Sequence, residues 1–148
     1  MFKVQQLSLL TAATAMVLLP YPAFAQARPD SRGDYYSWGG SWIVAINSGS
    51  LNCRSGPGTN YRIITRFPKA SYLATASELE GNPIEQDRQG RPWVRIKWAG
   101  TSTYPCFVRA NMSFIGSMDG FDGNQSNCIN REIRKGRSFP DAAFDCVD

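Results

Sequence analysis

From Trp42 to Ala110 the chain repeats one pattern, short runs rich in β-branched and aromatic residues that are each cut off by a Gly- or Pro-containing turn. The runs are "WIVAI", "LNCRS", "YRIITRF", "YLATAS", "WVRIKW" and "CFVRA", and the breaks fall at Asn47 to Ser50, Gly56-Pro57-Gly58, Pro68-Lys69-Ala70, Gly81-Asn82-Pro83, Gln89-Gly90-Arg91 and Ala99-Gly100. No apolar period of 3.6 residues is sustained over ten residues; only "ANMSFIG" offers a helical turn. Strands this short and this closely spaced predict a small all-β barrel or sandwich. In "WVRIKW" the alternation puts Val94, Ile96 and Trp98 on a core face and Trp93, Arg95 and Lys97 on the other, which leaves an aromatic among cations where a polar face is expected.

What precedes and follows this segment sets its compartment. Residues 1–25 carry Lys3, then the uncharged run "LSLLTAATAMVLLPYPAFA" ending in the small-x-small site Ala23-Phe24-Ala25, so the sequence predicts a secretory signal peptide cut before Gln26. A retained anchor is disfavoured by Pro20 and Pro22, and no Cys stands at the cleavage point to take a lipid. Losing Lys3 lowers the formal charge from +4 to +3, too small and too scattered a balance for nucleic acid. Residues 26–41, rich in Gly, Ser and charge, read as a flexible leader whose Arg32-Gly33-Asp34 imitates an adhesion ligand by chance. Four cysteines, Cys53, Cys106, Cys128 and Cys146, are an even set that predicts two disulfides in a secreted or periplasmic protein, with three connectivities open. Without close Cys pairs or any histidine, they do not suit zinc.

The stretch "LNCRSGPGTNY", residues 51–61, strongly resembles the opening signature of bacterial SH3 (SH3b) domains, Leu-Asn-Val-Arg-Ser-Gly-Pro-Gly followed by a small, a polar and an aromatic residue. "DRQGRPWVRIKW" is similar to the family's Gly-x-x-Trp strand and "CFVRANMSFI" to its closing Gly-Tyr-Val segment, so the resemblance spans about residues 42–116 and implies a small SH3-like β-barrel. Cys53 replaces the family's Val and Cys106 its Gly. Because the SH3-like barrel sets these two segments on neighbouring strands, the resemblance implies a Cys53–Cys106 disulfide, leaving Cys128 with Cys146 to staple a tail poor in apolar residues. The loop "ELEGNPIEQDRQGR" is longer than the family's.

Gly56, Pro57 and Gly58 allow a sharp reversal after Leu51 and Cys53 enter the core, which presents Asn60 and Tyr61 near the face of Trp93. The turn either only closes the barrel or also builds a site. Trp93 is correspondingly either a ligand platform or ordinary half-buried packing.

In the tail, residues 117–148, "CINREIRKGR" predicts a short helix ended by Gly136; Asp119, Asp122 and Asn124 lack the ligand spacing of a calcium loop. The absence of histidine removes Ser-His-Asp, Cys-His and His-metal mechanisms, and Glu78, Glu80, Glu85 and Asp87 read as a solvated loop. The expectation is thus a non-enzymatic, cofactor-free binding module. By the resemblance its ligand is cell-wall peptidoglycan, with Trp93 and Tyr61 as apolar platforms, Asn60 beside them, and Arg54 and Arg95 meeting carboxylates. A protein partner in the envelope or a host at the same face is the alternative, and a functional tail on an inert barrel is a third.

Overall fold

The computed structural model describes residues 27–37, 39–76, 82–97 and 105–147. The signal segment, Trp98, Glu78 and Glu80 therefore lie outside the described residues. Eight strands are present: β1 (Ser41–Val44), β2 (Ser50–Arg54), β3 (Ile63–Pro68), β4 (Tyr72–Thr75), β5 (Ile84–Gln86), β6 (Pro92–Lys97), β7 (Cys106–Arg109) and β8 (Ile115–Ser117). They form one antiparallel sheet in the order β3-β2-β7-β6-β4-β1-β8, and among the described residues this path does not close on itself. β6 is its hinge. One edge pairs with β7, while the other is shared by β5 along Pro92–Val94 and by β4 at Ile96 and Lys97.

The six expected strands all form; β5 and β8 were not expected. Each is only three residues long, too short for a period-2 pattern to stand out. β5 falls inside the stretch read as a charged loop, where Glu85 and Gln86 hide the strand.

Val94 and Ile96 of β6 point inward with Val44, Leu51, Cys53, Val108 and Ile115 into the main core, as the alternation predicts. Cys53 is bonded to Cys106 with Cα atoms 5.4 Å apart, and Cys128 to Cys146 at 5.8 Å, the pairing the resemblance implied. The first bond joins β2 to its neighbour β7, whose register sets Arg54 opposite Phe107.

The segment from Ala27 to Ser37 corrects the reading of a flexible leader. It lies on the sheet as a strap. Tyr35 is 1 % exposed and meets Trp42 edge-on at 5.1 Å, its N–H donates to the Ala110 carbonyl at 2.9 Å, and Ala27 is buried beside them. Asp34 of the Arg-Gly-Asp sequence is buried in an ion pair with Arg109 and accepts from the Asn111 amide, so it is not displayed as an adhesion ligand. Polar composition concealed this because the strap holds through Tyr35 and through polar contacts such as the Asp34–Arg109 ion pair, not through an apolar period.

Two helices, not one, follow β8. Helix α1 (Gly123–Arg134) starts five residues before the expected "CINREIRKGR" because Asp122 and Gln125 form a reciprocal capping box, and Gly136 follows its C-cap Lys135. Helix α2 (Phe139–Asp145) is capped by Ser138, and its Phe139 ring lies so close to Gly116 of β8 that a Cβ there would fall 2.0 Å from it. The helices pack Ile129, Ile133, Ala142 and Cys146 onto Ile43, Ala45 and Met118, a second core on the far face of β1. The tail is therefore part of the folded body. Asp119, one of the calcium candidates, accepts from the Gly40 and Ser41 N–H groups at 2.8 and 3.1 Å, and Asp122 is spent on the cap. Among the described residues no helix is long and apolar enough to cross a membrane.

Candidate functional site

Strand pairing collects the outer-face residues. Partners directly opposite in a sheet share a face, so the registers Trp93 with Arg109, Arg95 with Phe107 and Phe107 with Arg54 put all five on the surface turned away from the main core. Trp93 does not stand out of that surface as an open platform. It is 3 % exposed, and its indole N–H donates to Asp87 at 3.1 Å, under the turn that runs from Asp87 to Arg91.

Asp87 organises that turn. Its carboxylate also accepts from the Gln89 and Arg91 N–H groups, both at 3.0 Å, and from the Arg91 guanidinium at 2.8 Å. Burial opposes its ionisation, but the donors from Trp93, Arg91 and Gln89 outweigh burial and hold its carboxyl below the usual carboxylate range. It stays an acceptor at neutral pH and is not the solvated loop acid expected from sequence.

Between this turn and β2 lies a groove of about 350 Å³. Trp93 and Phe114 line it together with Arg54, Arg91 and Arg109; no carboxylate lines it among the described residues. The three cations differ in what already holds them. Arg91 is paired with Asp87, and Arg109 with Asp34 and the Pro92 carbonyl, whereas among the described residues Arg54 donates to the Tyr61 carbonyl alone, at 2.8 Å. Arg54 thus keeps the most unspent positive charge toward the groove.

A second cleft, about 340 Å³, adjoins the groove through Thr59 and Arg91. One wall is the turn at Pro57 to Tyr61, the other the turn at Gln86 to Gln89. The glycines of the first turn now have a physical reason. A Cβ on Gly56 would sit 2.5 Å from the Tyr61 ring, so only glycine there lets the ring lie down on the turn. Gly58 is needed for its φ of 146° and because a Cβ on it would fall 2.6 Å from the Asn60 side-chain oxygen. Tyr61 nevertheless remains 41 % exposed.

Of the five residues expected to bind, Arg54 and Trp93 line the groove and Asn60 and Tyr61 the adjoining cleft. Arg95 joins neither. It is ion-paired with Glu85 of β5, with its guanidinium 5.7 Å from the centre of the Phe107 ring. Sequence reasoning missed Arg91 and Arg109, which reach the groove only through the β6–β7 register and the Asp87 turn. Among the described residues no group of three or more Cys, Asp or Glu is arranged to hold a metal. No protein-family model matches the chain, and a search of curated proteins returns no match.

Proposed function

We propose that the chain is an exported, non-catalytic binding module of the bacterial SH3 type, with an SH3-like barrel as its core, and that the Arg54 groove recognises the anionic groups of cell-wall peptidoglycan. The observation that carries this reading is a groove lined by two aromatics and three arginines and by no carboxylate among the described residues. The SH3-type assignment is supported by the seat that Gly56 and Gly58 make for Tyr61, and by the β2–β7 disulfide at the two positions where the sequence departs from the family pattern. The two disulfides fit an oxidising compartment. Relative to the sequence expectation the cationic roles shift, from Arg54 with Arg95 to Arg54 flanked by the ion-paired Arg109 and Arg91, because Arg95 lines neither the groove nor the cleft. Trp93 packs beneath the groove with little exposed surface, and Tyr61 is the accessible aromatic.

Sedimentation with purified cell walls, run beside a pull-down from envelope extract, tests the class of partner. The protein is expected to pellet with walls stripped of protein. Capture of one envelope protein with no retention on stripped walls would replace peptidoglycan with a protein partner.

A further inference from the structure

The cleft beside Tyr61 has a chemistry different from the groove it joins. Its aromatic ring has one face on the glycine turn and is partly open to solvent. Three side-chain amides line it, from Asn60, Gln86 and Gln89. Asn60 and Gln86 make no side-chain hydrogen bond among the described residues, and the Gln89 carbonyl accepts from Arg91 at 3.2 Å, which leaves its NH₂ free. Each amide offers a planar donor and acceptor, the complement of a hydroxyl, which is also both. An aromatic face takes apolar C–H surface. A pyranose ring presents both features together, C–H bonds across one face and hydroxyls around its rim. A peptide backbone has no comparable C–H face. The cleft volume falls in the range of about 300–1,000 Å³ common to small-ligand sites.

We infer that this cleft is a saccharide subsite and the adjoining Arg54 groove its carboxylate subsite, so that the ligand is a carboxylate-bearing sugar that crosses Thr59 and Arg91 from one to the other. The inference rests on the cell-wall reading of the groove and specifies which part of the polymer is read: glycan whose stem peptide has been cut away, because the muramyl carboxyl is held in an amide bond while that peptide is attached and is a free carboxylate only once it is gone.

Amide chemical shifts of the exported protein test it with three probes: diacetylchitobiose, which has no carboxylate; N-acetylglucosaminyl-N-acetylmuramic acid, which has one; and the dipeptide alanyl-glutamate. Chitobiose is expected to move Asn60, Tyr61, Gln86 and Gln89 but not Arg54. The muramic disaccharide should move all five and bind about tenfold tighter, the worth of one charge-assisted contact. Tyr61→Ala and Gln89→Ala should each weaken both sugars, the second leaving the glycine turn untouched, while Arg54→Ala should erase only the advantage of the acidic sugar. If neither sugar moves the cleft residues although the protein still pellets with walls, or if alanyl-glutamate moves Tyr61 and Asn60 as far as the sugars do, the inference is overturned. Sugar shifts without wall retention would overturn the cell-wall reading and leave the saccharide subsite standing.

Discussion

Trp93→Ala is expected to cost about 3–5 kcal/mol of folding stability, the range for emptying a buried large aromatic site, and to lower the thermal midpoint by more than about 10 °C. The size follows from where the ring sits. It is buried under the Asp87 turn, so truncation opens a cavity between β6 and that turn and also takes one donor from a buried carboxylate. Trp93→Phe separates these effects, keeping most of the volume while losing the indole N–H, and should cost only about 1–2 kcal/mol. Circular dichroism melts of the three proteins measure both. A Trp93→Ala midpoint within a few degrees of the parent would mean that the ring is an exposed platform after all.

Tyr35→Ala should be about as damaging, again roughly 3–5 kcal/mol, because it removes the one aromatic that fastens the strap to Trp42. The same residue gives the strap a pH signature. Burial, only partly offset by a backbone contact at Ser117, pushes the Tyr35 phenol up to about 12 from an ordinary 10. An unfolded chain releases this proton above pH 10 and the folded one does not, so the folded state binds more protons between pH 10 and 12. Stability is whole below pH 10 and falls through that window, by up to about 2.7 kcal/mol for a shift of two units. Tyr35→Phe keeps the packing and should flatten this alkaline loss. Chemical denaturation at pH 8, 10 and 12 reads the difference; equal alkaline losses in parent and Tyr35→Phe would place the phenol in solvent and the strap off the sheet.

These two residues also show what a sequence can and cannot disclose. The alternation of "WVRIKW" placed Trp93 on the outer face correctly, since side-chain parity along a strand is local. Its burial is not local, because it depends on a turn that folds back through Asp87. Tyr35 sits in a stretch with no period at all, and its place in the core is set by Trp42 and Ala110, which no neighbouring residue announces. "WIVAI" carries a further signal. Apolar residues at every position, not every second one, reflect a strand buried on both sides, Trp42 and Val44 facing the main core and Ile43 and Ala45 the helices. Likewise the spacing of Asp122 to Gln125 and of Ser138 to Asp141 marks the two helix starts, a signal that "CINREIRKGR" alone does not contain. The disulfides were legible only through the family resemblance, because four cysteines leave three pairings open and strand adjacency decides among them.

Asn60 and Tyr61, expected at the end of the signature turn, line the cleft, and Trp93, set on the outer face by strand parity, lines the groove with Arg54 of the signature. Arg95 lies apart from both because it pairs with Glu85 of β5, a strand hidden in a charged loop. Arg109 was overlooked because only the β6–β7 register sets it opposite Trp93.

Whether the Arg54 groove is where the protein meets the wall is decided by comparing wall affinity of the parent with Arg54→Ala and with Arg137→Ala, a cation on the tail paired with Asp145. The groove variant should bind purified walls about tenfold more weakly with its melting curve unchanged, and the tail variant as tightly as the parent. Equal affinity for parent and Arg54→Ala, or an equal loss in both variants, would contradict a wall contact at the groove.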